Sequence, residues 1–232
     1  MTARRVATHL VLGVLTAVVL LLAPLYPRAE TFVQAATIGL GYLSLGLIAA
    51  TLVVGPLGLR RRSRNPVNVY LRRDLGIWAG LTGLAHVLFG LQVHFGGNVI
   101  RYFFQPIVRE RYFAVGDEER YFRVVEGWTP ATDLFGLANW IGLLATVVLL
   151  ILLALSNDVA VRALRGPRWK ALQRFNYALV ALVVAHTAAY QLVVGREAVF
   201  ALATLALAGV VLGAQLVGVT LYRRRRRPSP SP

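Results

Sequence analysis

Cysteine is absent from all 232 residues. Disulfides, thiolate ligation of iron and iron–sulfur clusters held by this chain are therefore excluded, and histidine is left as the leading candidate for any metal chemistry. Acidic residues are scarce as well, ten Asp and Glu against 25 Lys and Arg. None of them falls within the core of an apolar run, which weakens the transporter and proton-channel classes, because those proteins normally place carboxylates or polar relays inside the bundle. Charge of either sign makes up only 15% of the chain, whereas 57% is hydrophobic and the mean hydropathy is +0.62. That balance is the mark of a polytopic membrane protein and leaves no soluble domain of ordinary size. No internal repeat with a convincing period is present.

Six apolar stretches are long enough to cross a bilayer: Val6 to Leu25, Thr31 to Leu59, Leu75 to Phe95, Leu134 to Leu155, Phe175 to Val194 and Ala198 to Leu221. The expected fold class is an all-α integral membrane protein, a bundle of six transmembrane helices with a long outer insertion at about 96–133 between the third and fourth. Residues 1–222 form one domain in this reading, and 223–232 a basic, disordered cytoplasmic tail. A cleaved signal peptide is a poor reading of the first stretch, which is long and lacks a clear small-x-small site before Pro24.

The formal charge of +15 does not imply nucleic acid, because the basic residues sit in blocks at alternate ends of the spans. Arg4 and Arg5, then Arg60, Arg61, Arg62, Arg64, Arg72 and Arg73, then Arg162, Arg165, Arg168 and Lys170, and finally Arg223 to Arg227 fall on one side. The positive-inside rule makes that side the cytoplasm, with both termini cytoplasmic and the protein multi-pass in the inner membrane. The terminal arginine run reads as a stop-transfer anchor, with anionic lipid binding as the weaker alternative. The segment from Gly96 to Asp133 carries five arginines against six acids, so it has no positive excess to retain it inside. Its aromatic residues, Tyr102, Phe103, Phe104, Tyr112, Phe113, Tyr121, Phe122 and Trp128, interleave with charges, as in an amphipathic element resting at the outer interface. Interfacial anchoring and docking of an exported redox partner compete for it.

Inside this uncharged interior stand two histidines, His86 and His186. Each lies thirteen residues beyond a boundary residue, Arg73 and Gln173 respectively. At 1.5 Å per residue both rings stand roughly 20 Å above the same face. The third and fifth spans run the same way, so the two imidazoles share one depth. An ionisable side chain inside a span is a functional hypothesis by default, and two at matched height are what an axial pair on one haem iron requires. A lone histidine serves equally well to hydrogen-bond a neighbouring helix; the matched heights shift that balance. Ala79, Gly83, His86 and Gly90 share one helical face, against which a flat macrocycle can lie, or which simply lets helices pack closely. His94 reads as an interfacial residue near the outer mouth and His9 as an ordinary boundary residue. Gln34, Gln191 and Gln215 are intramembrane amides with no role selected.

Two segments carry a family resemblance. Arg72-Arg73-Asp74-Leu75-Gly76-Ile77-Trp78 followed by His86 is one. The other comprises Ser156-Asn157, Leu164-Arg165-Gly166-Pro167-Arg168-Trp169-Lys170, Leu172-Gln173-Arg174, Tyr177 and His186. Together they resemble the ferric-reductase-like transmembrane domain, particularly the haem-binding membrane subunit of the bacterial periplasmic methionine sulfoxide reductase. The resemblance implies a six-helix bundle holding b-type haem, with His86 and His186 at the outer ligand positions. The cofactor-binding set is then His86, His186, Gly83, Gly90 and Arg73, with His86 and His186 as metal ligands. Where the family commonly has a histidine at the start of the fifth span, this chain has Gln173, a poor iron ligand, so one haem b is expected rather than two. The long insertion also departs from the sulfoxide-reductase subunit. With no fused FAD or NAD domain, electrons are expected from a quinol in the bilayer or a separate cytoplasmic flavoprotein, bound for an exported acceptor. The competing reading is a haem-free membrane anchor or assembly protein, or a transporter, with the histidines used only in packing.

Overall fold

The computed structural model describes residues 2–60, 69–115, 118–195 and 197–226. Arg61, Arg62, Arg64, Arg227 and the Pro-Ser tail lie outside the described residues. Six helices are long and apolar enough to cross a membrane, within α1 (Ala3–Leu22), α2 (Phe32–Arg60), α3 (Val69–Val93), α5 (Leu134–Ala154), α7 (Phe175–Val194) and α8 (Ala198–Arg226). The expected helical bundle of a multi-pass membrane protein is thus observed. Two shorter helices, α4 (Ile100–Phe103) and α6 (Asp158–Gln173), and the strands β1 (Phe104–Val115) and β2 (Glu118–Pro130) complete the order. The arginine run expected to begin a tail at 223 instead continues α8 as helix through Arg226.

Half of the α2 span is buried inside the protein, against 11% of the α1 and α8 spans. The second helix is therefore the centre of the bundle, and the apolar faces of α1 and α8 are left for lipid. Antiparallel packing is visible in the contacts. Gly41 of α2 lies beneath His86 of α3, while Ser44, further along α2, hydrogen-bonds the earlier Ala79 carbonyl (2.9 Å). Gly80 and Gly83 of α3 meet Leu153 and Leu149 of α5 in reverse order, and α5 meets α7 in the same sense. Both α3 and α7 oppose α5, so they run parallel, as the histidine argument requires. The main core cluster joins Leu12, Leu47, Ile48, Ala79, Ala145, Leu149, Leu152 and Leu179.

At the end of α3 the chain turns through Phe95, Gly96 and Gly97, all at positive φ (55°, 61° and 80°). Glycine tolerates that conformation, whereas a bulky side chain there is strained. The Phe95 ring is held by Tyr102 and Phe135 (5.4 and 5.7 Å) and by the Arg101 guanidinium 4.7 Å over its face. The turn delivers α4 onto the end of the bundle, where Tyr102 is only 2% exposed.

The amphipathic segment then forms an antiparallel hairpin, with a register shift between Ile107 and Val108. Glu126 ion-pairs with Arg109 (3.2 Å), and Glu110 accepts from Arg123 and Tyr112 (both 3.2 Å). Its base is fixed by Phe103 and Phe104 against Trp140 and by the Ala131 N–H donating to the Phe103 carbonyl (2.8 Å). Further out, Tyr112 and Tyr121 stack across the strands and stay 69% and 63% exposed. At the other end of the bundle α6 packs near the α5 terminus, with Trp169 donating to the Leu155 carbonyl (3.0 Å). This helix is broken at Arg165, φ 56°, just before Gly166 and Pro167.

Candidate functional site

His86 and His186 meet in the middle of the bundle. Their ring centres are 6.3 Å apart with planes at 84°. The local sequence seats both rings in the same way. On α2, the Thr37 carbonyl lies 2.7 Å from His86 Nδ1, and one turn later Gly41 passes so close beneath the ring that a Cβ there would stand 2.8 Å from Nδ1. On α5, the Ala138 carbonyl lies 2.8 Å from His186 Nδ1, and a Cβ on Gly142, again four residues on, would stand 2.8 Å from Nδ1 and Cε1. One carbonyl and one glycine a turn apart hold each imidazole.

A carbonyl oxygen only accepts, so Nδ1 carries the proton in both rings. The lone pair of each neutral imidazole then resides on Nε2. This is the arrangement of metal-binding histidines, whose other N–H is fixed by a carbonyl or carboxylate that sets the tautomer and raises the basicity of the ligating nitrogen. Thr37 Oγ1 lies 3.1 Å from His86 Nδ1 and donates to the His86 carbonyl (2.7 Å), clamping the ring further. With metal–imidazole bonds of about 2 Å and about 1.1 Å from nitrogen to ring centre, two rings in line across one ion have centres about 6.2 Å apart. The observed 6.3 Å agrees.

Around the pair lies a cavity of about 320 Å³. That is within the range of small-molecule sites. Apolar side chains such as Leu45, Ile48, Leu149, Leu179 and Val183 form much of its wall, and no Asp, Glu, Lys or Arg lines it. Among the described residues no three metal-ligating side chains gather anywhere. Two imidazoles do not make a zinc or calcium cage. They do complete the coordination of an iron whose remaining ligands come from a porphyrin.

At one end the cavity is closed by polar groups that fix the neighbouring elements. Tyr190, stacked on His186 (4.9 Å), donates to Asn139 Oδ1 (2.6 Å), and Asn139 Nδ2 donates to the Tyr102 carbonyl (3.2 Å). Tyr102 in turn donates to the Gly90 carbonyl (2.9 Å) and accepts from the His94 N–H (2.8 Å). Burial pushes the Tyr102 hydroxyl above its ordinary pKa, against a smaller opposing pull from the His94 backbone.

The residues expected from sequence divide into three groups. His86, His186, Gly83 and Gly90 all line the one cavity, as do His94, Gln34 and Gln191. Gly83 and Gly90 are also close-packing points: a Cβ on Gly83 would meet Leu149 and Ser44 at 2.7 and 2.8 Å, and one on Gly90 would meet Thr37 at 3.3 Å. Arg73 stands apart, its guanidinium 6.0 Å over the Tyr70 ring at the basic end of α3, outside the cavity lining. Gln215 also lies elsewhere, bonded to the Leu52 carbonyl (2.8 Å) and to Tyr177 (3.0 Å).

Two features were not expected. The first is the pair of seats, Thr37 with Gly41 and Ala138 with Gly142, whose signal is a small residue one turn before a glycine in each helix that flanks a histidine helix. The second corrects the reading of His9 and of the acids. Asp74, 1% exposed and within the third span, takes two hydrogen bonds from Arg5 (2.7 and 3.2 Å). His9 Nε2 lies 3.4 Å from the same carboxylate, and His9 Nδ1 accepts from the Trp78 indole (2.9 Å). His9 is thus part of a buried polar cluster that joins α1 to α3. No family model matches the chain, and comparisons with curated proteins and with solved structures found no match.

Proposed function

We propose that this chain is a b-type haem membrane protein of the ferric-reductase-like kind. His86 and His186 are the two axial ligands of a single haem, and the protein relays electrons from a quinol or a separate flavoprotein to an acceptor on the far side of the membrane. The observation that carries the reading is the spacing of the two rings, 6.3 Å between centres, with each Nδ1 held by a backbone carbonyl. When bound, the haem iron supplies reversible one-electron exchange, and two imidazoles leave no open position for oxygen.

The chain's own residues prepare the site for that role. The Thr37 and Ala138 carbonyls orient the rings and strengthen Nε2 as a ligand. Gly41 and Gly142 give the rings room. The apolar wall excludes water, and Gly83 and Gly90 admit the close approach of α2, α3 and α5. Arg73 is 13 residues from His86 and takes no part in holding the iron. Gln173 offers a poor iron ligand, so no second haem is proposed.

By the positive-inside argument the basic end of the bundle faces the cytoplasm and the hairpin faces outward, where it offers a docking surface for an exported redox partner. The haem-free anchor and the transporter remain the rivals, and the absence of any charged residue from the cavity lining counts against the second. Reduced-minus-oxidised spectra of membranes decide the matter. The wild type and His94→Ala are expected to show a b-type spectrum, with His86→Ala and His186→Ala losing or severely altering it. Identical spectra in all four proteins overturn the assignment.

A further inference from the structure

Burying a guanidinium is costly unless acceptors surround it. Two arginines at the basic end of the bundle meet this requirement differently. Arg5 is satisfied by Asp74. Arg72, two residues before Asp74, leaves α3 on another face. It reaches α2, where a Cβ on Gly55 would stand 3.9 Å from its Nη1, and it lies beside Tyr177 of α7. Arg72 is partly buried there, and among the described residues no carboxylate or carbonyl accepts a hydrogen bond from it.

Its neighbours offer little to accept. Tyr177 donates its hydroxyl proton to Gln215 Oε1 (3.0 Å), and Gln215 Nε2 is taken by the Leu52 carbonyl (2.8 Å). One helical turn before Tyr177, Gln173 receives a hydrogen bond from Asn176 on its oxygen (3.3 Å). Its Nε2 is buried without a hydrogen-bond partner among the described residues. Two donors, a guanidinium and an amide, are therefore left in adjoining turns of packed helices.

A group with several acceptor oxygens and a negative charge complements this arrangement, and arginine is the side chain best shaped to hold one. Depth narrows the choice. Arg72 is 14 residues before His86, about 21 Å along the helix, at the end of the span where lipid phosphates lie. We propose that Arg72 and Gln173 bind a phosphate-bearing anion at the basic end of the bundle. The phosphate comes either from a phospholipid headgroup or from a soluble phosphate.

The site is independent of the haem reading, and its test does not use haem. The purified, delipidated full-length protein in dodecyl maltoside is melted thermally in phosphate-free buffer with two titrants at fixed ionic strength: inorganic phosphate, and phosphatidylglycerol in mixed micelles. The melting temperature of the wild type is expected to rise with at least one of them, and which one identifies the source. Arg72→Gln is expected to weaken half-saturation roughly 10-fold to 100-fold. Gln173→Leu is expected to weaken it less, and Arg72→Lys to retain part of the response. Arg162→Gln, an exposed arginine of α6, is the control and keeps the wild-type curve. No rise in the wild type with either titrant overturns the proposal. So does an equal rise in the wild type and Arg72→Gln, and because Arg72→Lys keeps the charge, a folding defect in Arg72→Gln does not hide the answer.

Discussion

The substitution Gly142→Ala adds one methyl group beneath His186 and nothing else. On the observed backbone that carbon stands 2.8 Å from Cε1 and Nδ1, whereas ordinary van der Waals contact begins at 3.4 Å. The ring must retreat by about 0.6 Å, or α5 and α7 must part by as much. Nδ1 already lies 2.8 Å from the Ala138 carbonyl, so a retreat lengthens that bond toward the limit of a useful hydrogen bond. Metal ligation tolerates about 0.2 Å of error, several-fold less than the forced shift. Overpacking costs roughly 1–3 kcal/mol and a weakened hydrogen bond about 1 kcal/mol more, so the fold survives while the ligand geometry does not. The expected result is a stable protein whose haem per polypeptide falls severalfold, or whose spectrum changes, measured as pyridine haemochrome on detergent-solubilised protein. Gly39→Ala is the matched control, since its new Cβ meets Val19 at the same 2.8 Å but away from both histidines. It should lower the melting temperature comparably and leave the spectrum intact. Wild-type haem content and spectrum in Gly142→Ala would refute the seat argument, and a loss shared equally with Gly39→Ala would reduce it to general packing.

Arg5→Ala removes the cation from a carboxylate that is 1% exposed and should cost about 3–5 kcal/mol, seen as a lower melting temperature and early proteolysis in α1, with the haem spectrum retained because Arg5 is not part of the cavity lining; unchanged stability would mean that α1 is held by lipid and apolar contact alone. Tyr102 has a raised pKa in the folded protein, so its contribution to stability is complete below the ordinary tyrosine pKa of about 10 and is lost as pH rises beyond it through the folded value. Tyr102→Phe should accordingly flatten the alkaline limb of a melting-temperature profile while lowering stability at neutral pH, and an unchanged alkaline limb would exclude this hydroxyl as its source. The lack of cysteine makes sidedness directly testable: Tyr112→Cys on the hairpin should react with a membrane-impermeant maleimide in intact cells, and Arg168→Cys only after permeabilisation. The reverse pattern would invert the assignment of inside and outside.

The spans and the histidine pair were legible because both are one-dimensional signals. Hydropathy over about 20 residues marks a helix, and a residue count converts to depth when the rise is fixed. The seats were not legible. Thr37 and Gly41 concern His86 only because α2 lies against α3, and Ala138 and Gly142 concern His186 only because α5 lies against α7. The glycines that the sequence did single out, Gly83 and Gly90, share the histidine's own helix, which is the neighbourhood periodicity reports. His9 shows the same limit: it reads as a boundary residue until α1 packs on α3 and brings Trp78 and Asp74 to it. The hairpin escaped assignment for a different reason. Its two-residue alternation of charge and aromatic is interrupted by the register shift at Ile107 and Val108, and a connection between spans has no burial pattern to restore the phase.

The symmetry of the two seats bears on why a packing role for the histidines is the weaker account. An imidazole that serves only to bond a neighbouring helix needs one good acceptor, and each ring here has it at Nδ1. One such bond explains one histidine, but it does not explain why two helices from different parts of the chain repeat the same carbonyl and glycine spacing around rings at a common depth. Nor does it require their centres to be 6.3 Å apart with planes nearly perpendicular across an uncharged cavity. Both facts follow if the rings are ligands: each Nδ1 is spent on a carbonyl so that each Nε2 is basic, and the glycines set the height at which the two nitrogens reach one ion. The packing account treats the spacing as coincidence, and it alone leaves the protein indifferent to which of the two seats is altered.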